Sequence, residues 1–519
     1  MSWFHAPVPL LPDLIARNGR WLANQPAMVD GEIQFSWREL SEATARVAHG
    51  LAALGIRPHQ RVAVLMDRRF ETALALFGII RAGAVAVPLN VSITDAAVVD
   101  MCADANCVAL IASGPHCARA EALRAAGTLG ARHFIGCDFQ GEGWIDFNDF
   151  MAGQPATDPG IALAADDECN IIYSSGTTAL PKGIVHTHGC RMGWAYDCAI
   201  ALRYRSACRT LCSLGLYSNI SWVSMLATVL VGGTIVLLRR FSPRDALAII
   251  EAQRITHGAF VPVQLSRILG YSDRDRYRTD SLETLMSCGS PLAADVKRRF
   301  AEVFHCDLIE LYGLTEGLFT VLSPEDFDKK LLSVGKPVLG ADIRLVGEYD
   351  REVAPGETRE IVGYSRIVMA EYHAREAANR EATWLDEAGR QWLRTGDLGR
   401  LDADGFLYIV DRRKDMILSG GQNIYPADIE SVVREHPAVA EVAVVGVPSA
   451  QWGETPVAVV VPATGQTFDP DTLLGWTNGR VGKQQRLHAV VARAELPRNA
   501  NGKILKRELR RELKEQGFK

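Results

Sequence analysis

Four serine and threonine hydroxyls, two glycines and one lysine fall within the eleven residues Tyr173-Ser-Ser-Gly-Thr-Thr-Ala-Leu-Pro-Lys-Gly183. Backbone N–H groups, hydroxyl donors and a cation around a small concavity are what a loop uses to hold phosphate oxygens. The spacing is not that of the G-x-x-x-x-G-K-[ST] loop. His186-Thr-His188 follows, and two histidines without a third ligand read as a strand or turn pair rather than a metal site. The eleven cysteines contain no C-x-x-C pair and no zinc spacing, so reduced thiols are expected. Cys208 and Cys212, four apart, read as two small buried apolar residues sharing a helix face. Further on, the charged cluster Asp411-Arg-Arg-Lys-Asp415 precedes Ser419-Gly-Gly421, as in a solvated hinge between domains or a plain surface turn.

The elements that must carry these residues follow from composition and pattern. At 519 residues the chain exceeds the ~150 of one typical domain, and 48% hydrophobic with 23% charged residues is a globular balance. A net charge of −5, from 56 basic and 61 acidic residues, excludes the basic footprint of broad nucleic-acid binding. The start, MSWFHAPVPLLPDLIAR, has no signal-peptide pattern, which implies a cytoplasmic protein. The longest uncharged apolar run, Trp222 to Leu238, is split by Gly232-Gly233 and reads as helix, turn and buried strand rather than a membrane span. From residue 61 to about 310, runs such as RVAVLM, AVAVPL, CVALIAS, NIIYSS, TIVLL and HGAFVP alternate with amphipathic stretches. Strands apolar on both faces between helices predict parallel sheets, hence an α/β region. After about residue 330, alternating strands with Asp/Gly turns predict an antiparallel β region. Beyond the charged cluster a helix from Pro426, two apolar strands and an amphipathic helix from about Leu505 predict a small α+β domain.

The wording of the first loop resembles the phosphate loop of the adenylate-forming superfamily, the acyl- and aryl-CoA synthetases and their relatives, with Ala179 where the family usually has Gly. Other stretches match in the family's order. Tyr312-Gly-Leu-Thr-Glu316 resembles the element whose aromatic ring lies near adenine, whose Thr contacts phosphate and whose Glu helps hold Mg²⁺. A carboxylate beside a hydroxyl suits an ion that keeps most of its waters. Gly289-Ser290-Pro291 falls where the family lines the adenine pocket. Thr395-Gly-Asp397 resembles a turn whose carboxylate binds both ribose hydroxyls, Arg412 matches the second ribose contact, and Lys414 falls on the hinge position. Pro497-Arg-Asn-Ala-Asn-Gly-Lys503 resembles the loop carrying the adenylation lysine. A cation there stabilises charge where a carboxylate attacks the α-phosphorus.

The resemblance implies a large N-terminal α/β domain, 1–413, of two parallel-rich sheets plus the antiparallel region. A small mobile α+β domain, 414–519, turns about Lys414. It implies an acid:CoA ligase using ATP, Mg²⁺ and coenzyme A, or alternatively an adenylating enzyme serving a carrier-protein thiol. Lys503, Thr315, Glu316 and Lys182 would be catalytic, with Glu316 reaching Mg²⁺ through ATP. Ser174, Ser175, Gly176, Thr177, Thr178, Gly289, Ser290, Pro291, Tyr312, Gly313, Asp397 and Arg412 would bind nucleotide. Ser419, Gly420, Gly421 and Trp452 would line the CoA tunnel, with packing the other reading of Trp452. The tail from Arg493, nine basic residues against four acidic, could meet CoA phosphates. No acidic residue occurs from Leu211 to Leu238, which disfavours an α-amino acid. An acyl pocket of Tyr217, Ser218, Asn219, Trp222, Phe260, Val261 and Leu318 suggests an uncharged aromatic, alicyclic or medium-chain fatty acid. The partners implied are these small molecules, without nucleic acid or a membrane span, and a homodimer is compatible with the sequence.

Overall fold

Parallel strands need helical crossovers, and the apolar runs are arranged that way. The computed structural model describes residues 8–173, 181–347, 350–412, 414–419, 422–449, 451–499 and 502–518. Ser174, Ser175, Gly176, Thr177, Thr178, Gly420 and Gly421 lie outside the described residues. One sheet runs Glu371–Tyr372, Gly183–Thr187, Glu168–Tyr173, Val85–Pro88, Arg61–Leu65, Cys107–Ser113, His133–Cys137 and Ile145–Asp146. Its pairs are parallel except at the Gly183–Thr187 strand, which is antiparallel to both neighbours. A second sheet contains Gly317–Leu322, Asp307–Leu314, Thr284–Cys288, His257–Phe260, Arg209–Cys212, Thr234–Leu237, Pro26–Asp30 and Ile33–Ser36, again parallel in its centre. Helices Phe70–Arg81 and Asn219–Val231 are buried almost all round, and one core cluster joins them to Val62 and Ile111 of the first sheet and Ile235 and Ile309 of the second. These helices are the middle layer between two sheets, which is why they lack a polar face.

The run from Trp222 to Leu238 resolves as expected: helix Asn219–Val231 ends at Gly232 with φ +71°, and Thr234–Leu237 follows as a buried strand. Cys208 and Cys212 do not share a helix face. Cys212 ends the strand Arg209–Cys212 and Cys208 precedes it, although both are buried. The β-branched and apolar context of a central parallel strand overrides the four-residue spacing.

Contacts divide the chain into two compact units. One comprises residues up to Leu331 with Pro337–Asp342 and Tyr364–Thr383; the other comprises Leu332–Lys336, Ile343–Gly363 and Trp384–Lys519. In the second unit an antiparallel sheet contains Arg359–Ser365, Gln391–Leu401 and Leu407–Arg412. A further sheet is built on Val439–Ser449 and Gly453–Pro462. Their alternation is read on two faces: Val442, Val444, Ala458 and Val460 pack with Ile429 and Leu473, whereas Ala443, Val445, Val457 and Val459 pack with Leu509 and Leu513 of helix Lys506–Glu515. Among the described residues no helix is long and apolar enough to cross a membrane.

Candidate active site

The hydroxyl-rich loop joins two strands that pair through Tyr173 and Gly183, so both its ends are held by a sheet. Tyr173 is fixed further by its hydroxyl, which donates to Asp104 (2.8 Å) and Met101 O (3.1 Å). Lys182, at the far end, places Nζ 4.3 Å over the ring of Tyr372. The hydroxyl of Tyr372 donates to Glu316 Oε1 at 2.9 Å, and burial together with that carboxylate pushes the phenol pKa up. Lys182, Tyr372 and Glu316 therefore form one chain of contacts.

Thr315 and Glu316 are the two-residue tip of a hairpin in which Leu314 faces Gly317. Gly313 lies so near the returning strand that a Cβ would meet Leu318 O at 2.8 Å. Gly317 has φ +119°, and a Cβ there would lie 2.4 Å from Val368 Cα. Leu318, fully buried, holds φ +66°, a left-handed conformation uncommon for a bulky residue and often associated with functional sites. Two main-chain bonds clamp the tip: Met369 N–H donates to Glu316 O (2.6 Å), and His186 Nε2 lies 2.7 Å from Thr315 O. Tyr312 stands on the same strand, opposite Thr320. Gly289, φ +98°, Ser290 and Pro291 leave the end of strand Thr284–Cys288. Leu292 N–H then donates to Glu310 Oε1 (2.9 Å), whose carboxylate also pairs with buried Lys297, so the loop after Pro291 is tied to the strand that carries Tyr312.

The acid-pocket segment is held by side chains of the helix that follows it. The Ser221 hydroxyl reaches Leu214 O and Gly215 O (3.1 and 3.0 Å), and the Trp222 indole N–H donates to Leu216 O (2.9 Å). Ser218 is the N-cap residue of that helix, its Oγ buried and without a hydrogen bond among the described residues, and Asn219 Oδ1 accepts from Arg191 at 2.7 Å. Burial pushes the Tyr217 phenol up. Trp222 and Val261 share one core cluster with Ala259, but Phe260 packs in another with Leu211, Leu265 and Leu285. Phe260 thus packs away from Trp222 and Val261: it ends the strand His257–Phe260 in one cluster, whereas Val261 caps the following helix in the other.

In the second unit, Thr395-Gly396-Asp397 is not a turn between elements. It lies inside the continuous strand Gln391–Leu401 at a bulge, where three of its residues span the step between Glu360 and Val362 of the partner strand. The Thr395 hydroxyl donates to Ile361 O (2.8 Å) and accepts from Asp397 N–H (3.1 Å). Asp397, buried, is the register partner of exposed Arg412, with Nε 3.2 Å from Oδ1. Lys503 belongs with them: burial and the Arg412 charge hold its pKa down to about 8, against the pull of Asp397 and Asp415. Its loop is braced by Asn499 Oδ1 accepting from Lys503 N–H (2.9 Å) and by Gly502 at φ +78°. Beneath the strand end, Asp411 accepts from Arg412 N–H and from Ala427 N–H, and burial lifts its pKa to about 6. Lys414 is exposed in the next turn. Ser419 is buried and faces Gly453, whereas Trp452 is 51% exposed and so is not core packing.

Tyr372, His186 and Arg191 are the residues that sequence reasoning missed. Tyr372 sits in a two-residue edge strand with no periodic pattern, and the histidine pair signalled only a strand or turn, which leaves its bond to Thr315 unseen although His186 does lie in the strand Gly183–Thr187. Arg191 lies in the first turn of helix His188–Ala201, where a cation is ordinarily solvent-facing, yet it is fully buried.

The family model for AMP-binding enzymes matches residues 16–373, and that for the AMP-binding enzyme C-terminal domain matches 428–503. A feruloyl-CoA synthase of Amycolatopsis is 34% identical over 95% of this chain and 97% of its own. The long-chain-fatty-acid–CoA ligase FadD13 of Mycobacterium tuberculosis is 31% identical over 95% and 98%. Among solved structures, an anthranilate CoA ligase in complex with anthranoyl-AMP superposes with a TM-score of 0.90 at 26% identity, covering 98% of each chain.

Proposed function

The chain belongs to the AMP-binding enzyme family of adenylate-forming enzymes, and from that premise we propose that it is an acid:CoA ligase. An acid carboxylate attacks the α-phosphorus of ATP, pyrophosphate leaves, and the thiol of CoA then displaces AMP from the acyl-adenylate. The relatives named above are CoA ligases or synthases along nearly their whole length, which favours free CoA over a carrier-protein thiol.

The observation that carries the adenylation step is the placement of Lys503. Among the described residues its charge is felt by Asp397 and Arg412, which lie about a hundred residues earlier, and its pKa is held near neutrality. A lysine at about 8 is still mostly cationic at pH 7 while being partly desolvated, the state in which it stabilises developing phosphate charge most strongly. Thr315 offers its hydroxyl to phosphate, Lys182 contributes a second cation, and Asp397 with Arg412 takes the ribose.

Magnesium fits the donor set at Glu316. One carboxylate oxygen accepts from Tyr372, and among the described residues the other accepts no hydrogen bond, so it would be open to a water-rich ion carried by ATP, with Thr315 adjacent. The ion supplies neutralisation of the triphosphate. Rotation about Lys414 would separate the two half-reactions, with Ser419 and the exposed Trp452 meeting the pantetheine arm. The acid is uncharged and organic, aromatic, alicyclic or fatty: the pocket segment has no carboxylate of its own, and Arg191 behind it is buried and held by three protein acceptors.

An ATP–pyrophosphate exchange screen over fatty, aromatic, alicyclic and dicarboxylic acids, followed by thioester detection with CoA, tests this reading. Exchange with an uncharged acid and CoA-dependent thioester are expected. Adenylate formation without any CoA thioester would contradict it.

A further inference from the structure

Arg191 is fully buried, and among the described residues it has no carboxylate within ion-pairing distance. A guanidinium in that position is costly. It is desolvated, and it sits in the first turn of a helix, where the macrodipole disfavours a cation. Burial accordingly draws its pKa down to about 10. An apolar residue would suit the surrounding core better unless the guanidinium's fixed geometry were being used.

Its donors have three different destinations. Nε reaches Asn170 Oδ1 at 2.8 Å, Nη1 reaches Asn219 Oδ1 at 2.7 Å, and Nη2 lies 3.1 Å from His186 Nδ1, while the plane lies 5.0 Å from the ring of Trp222. Arginine has no acceptor, so His186 Nδ1 must be the acceptor and the imidazole proton must sit on Nε2. That proton is donated to Thr315 O at 2.7 Å. Burial and the adjoining guanidinium keep the ring neutral, so protonation of His186 cannot break the chain at ordinary pH. The path runs from the acid-pocket segment at Asn219, through Arg191 and His186, to the tip of the hairpin that presents Thr315 and Glu316.

We propose that Arg191 and His186 are positioning residues that lock the acid-binding segment to the nucleotide-binding hairpin, so that seating of the acid and alignment of Thr315 are one event. The proposal rests on the ligase reading above. Neither residue touches a reacting atom; each acts through the groups it holds. Removing the lock leaves both substrates able to bind but misaligned, and a displacement of about 1 Å is enough to cost ~10²-fold in rate.

The test uses the full chain and ATP–pyrophosphate exchange, with active sites counted by the single-turnover burst of acyl-adenylate. In Arg191→Met we expect kcat for exchange to fall about 10²-fold per active site while KM for ATP stays within about twofold. Arg191→Lys should fail to rescue, because one ammonium cannot span three fixed acceptors. Because Arg191→Met could compromise folding, the deciding measurement is the double-mutant cycle of His186→Leu and Asn219→Ala. Among the described residues His186 and Asn219 are joined only through Arg191, so if each acted on kcat independently of that guanidinium their effects would multiply. Coupling through Arg191 predicts that the double variant is little worse than the worse single one. Multiplicative effects in folded protein, or a wild-type kcat in folded Arg191→Met, would overturn the proposal. A wild type that exchanges pyrophosphate with no acid would sink the ligase reading instead. The same cycle would then be read through the rise in melting temperature on adding Mg-ATP, where additivity again overturns the coupling.

Discussion

Around Thr315 and Glu316 the polar groups are locked by neighbours drawn from a buried core, through His186, Tyr372 and Met369. Around Lys503 the groups are a bulged strand, an exposed arginine and a loop braced by one asparagine, and the lysine titrates near neutrality. In the first region burial keeps the His186 ring neutral and pushes the Tyr372 phenol pKa up. The second holds charge where it can be tuned. Geometry and charge are thus supplied by different parts of the molecule, one fixed by close packing and the other set by a lysine whose burial and charged neighbours lower its pKa.

The sharpest way to separate them is Lys503→Ala. Adenylation should drop by about 10²–10³-fold, the loss typical of removing one group that stabilises transition-state charge, while thioester formation from supplied acyl-adenylate is retained. Equal losses in both half-reactions would mean that Lys503 holds structure and not charge. In the rigid region, Tyr372→Phe keeps the ring beneath Lys182 and removes only the bond to Glu316. An adenylation rate about tenfold lower is expected, corresponding to about 1.4 kcal/mol, close to the lower end of the range for a hydrogen bond to a charged group. An unchanged rate would show that Glu316 is positioned by its backbone alone. The smallest effect should come from Trp452→Ala: stability within about 0.5 kcal/mol, since the side chain is half exposed, with KM for CoA raised several-fold. A change in KM for the acid and not for CoA would remove Trp452 from the thiol path.

The two regions were also unequally legible in the sequence. Strands and buried helices follow from local patterns of apolar runs, whereas the motif at Thr315 was read from its resemblance to a family element and its hairpin came only with the structure. Phe260 and Val261 read as one pocket in the sequence, but the strand His257–Phe260 ends between them and Val261 caps the next helix, so they pack in different core clusters. The bulge at Thr395-Gly-Asp397 was not legible, because a glycine flanked by polar residues has the composition of a turn and only the register of the partner strand shows otherwise. Nor were the locks. His186 and Thr315 are 129 residues apart, and Arg191 and Asn219 are 28 apart. A buried arginine carries no local signature that distinguishes it from a surface one. Its role exists only once helix His188–Ala201 is placed against Asn219–Val231.

The pH dependence of the two half-reactions in the wild-type enzyme tests the division most directly. Lys503 acts as a cation and its pKa is drawn down to about 8, so kcat/KM for adenylation should fall as pH rises through that value, well below the ordinary lysine range. Thioester formation from supplied acyl-adenylate, which does not use that charge, should show no falling limb of the same position. Two half-reactions declining together with one apparent pKa, or an adenylation rate flat to pH 10, would contradict the account.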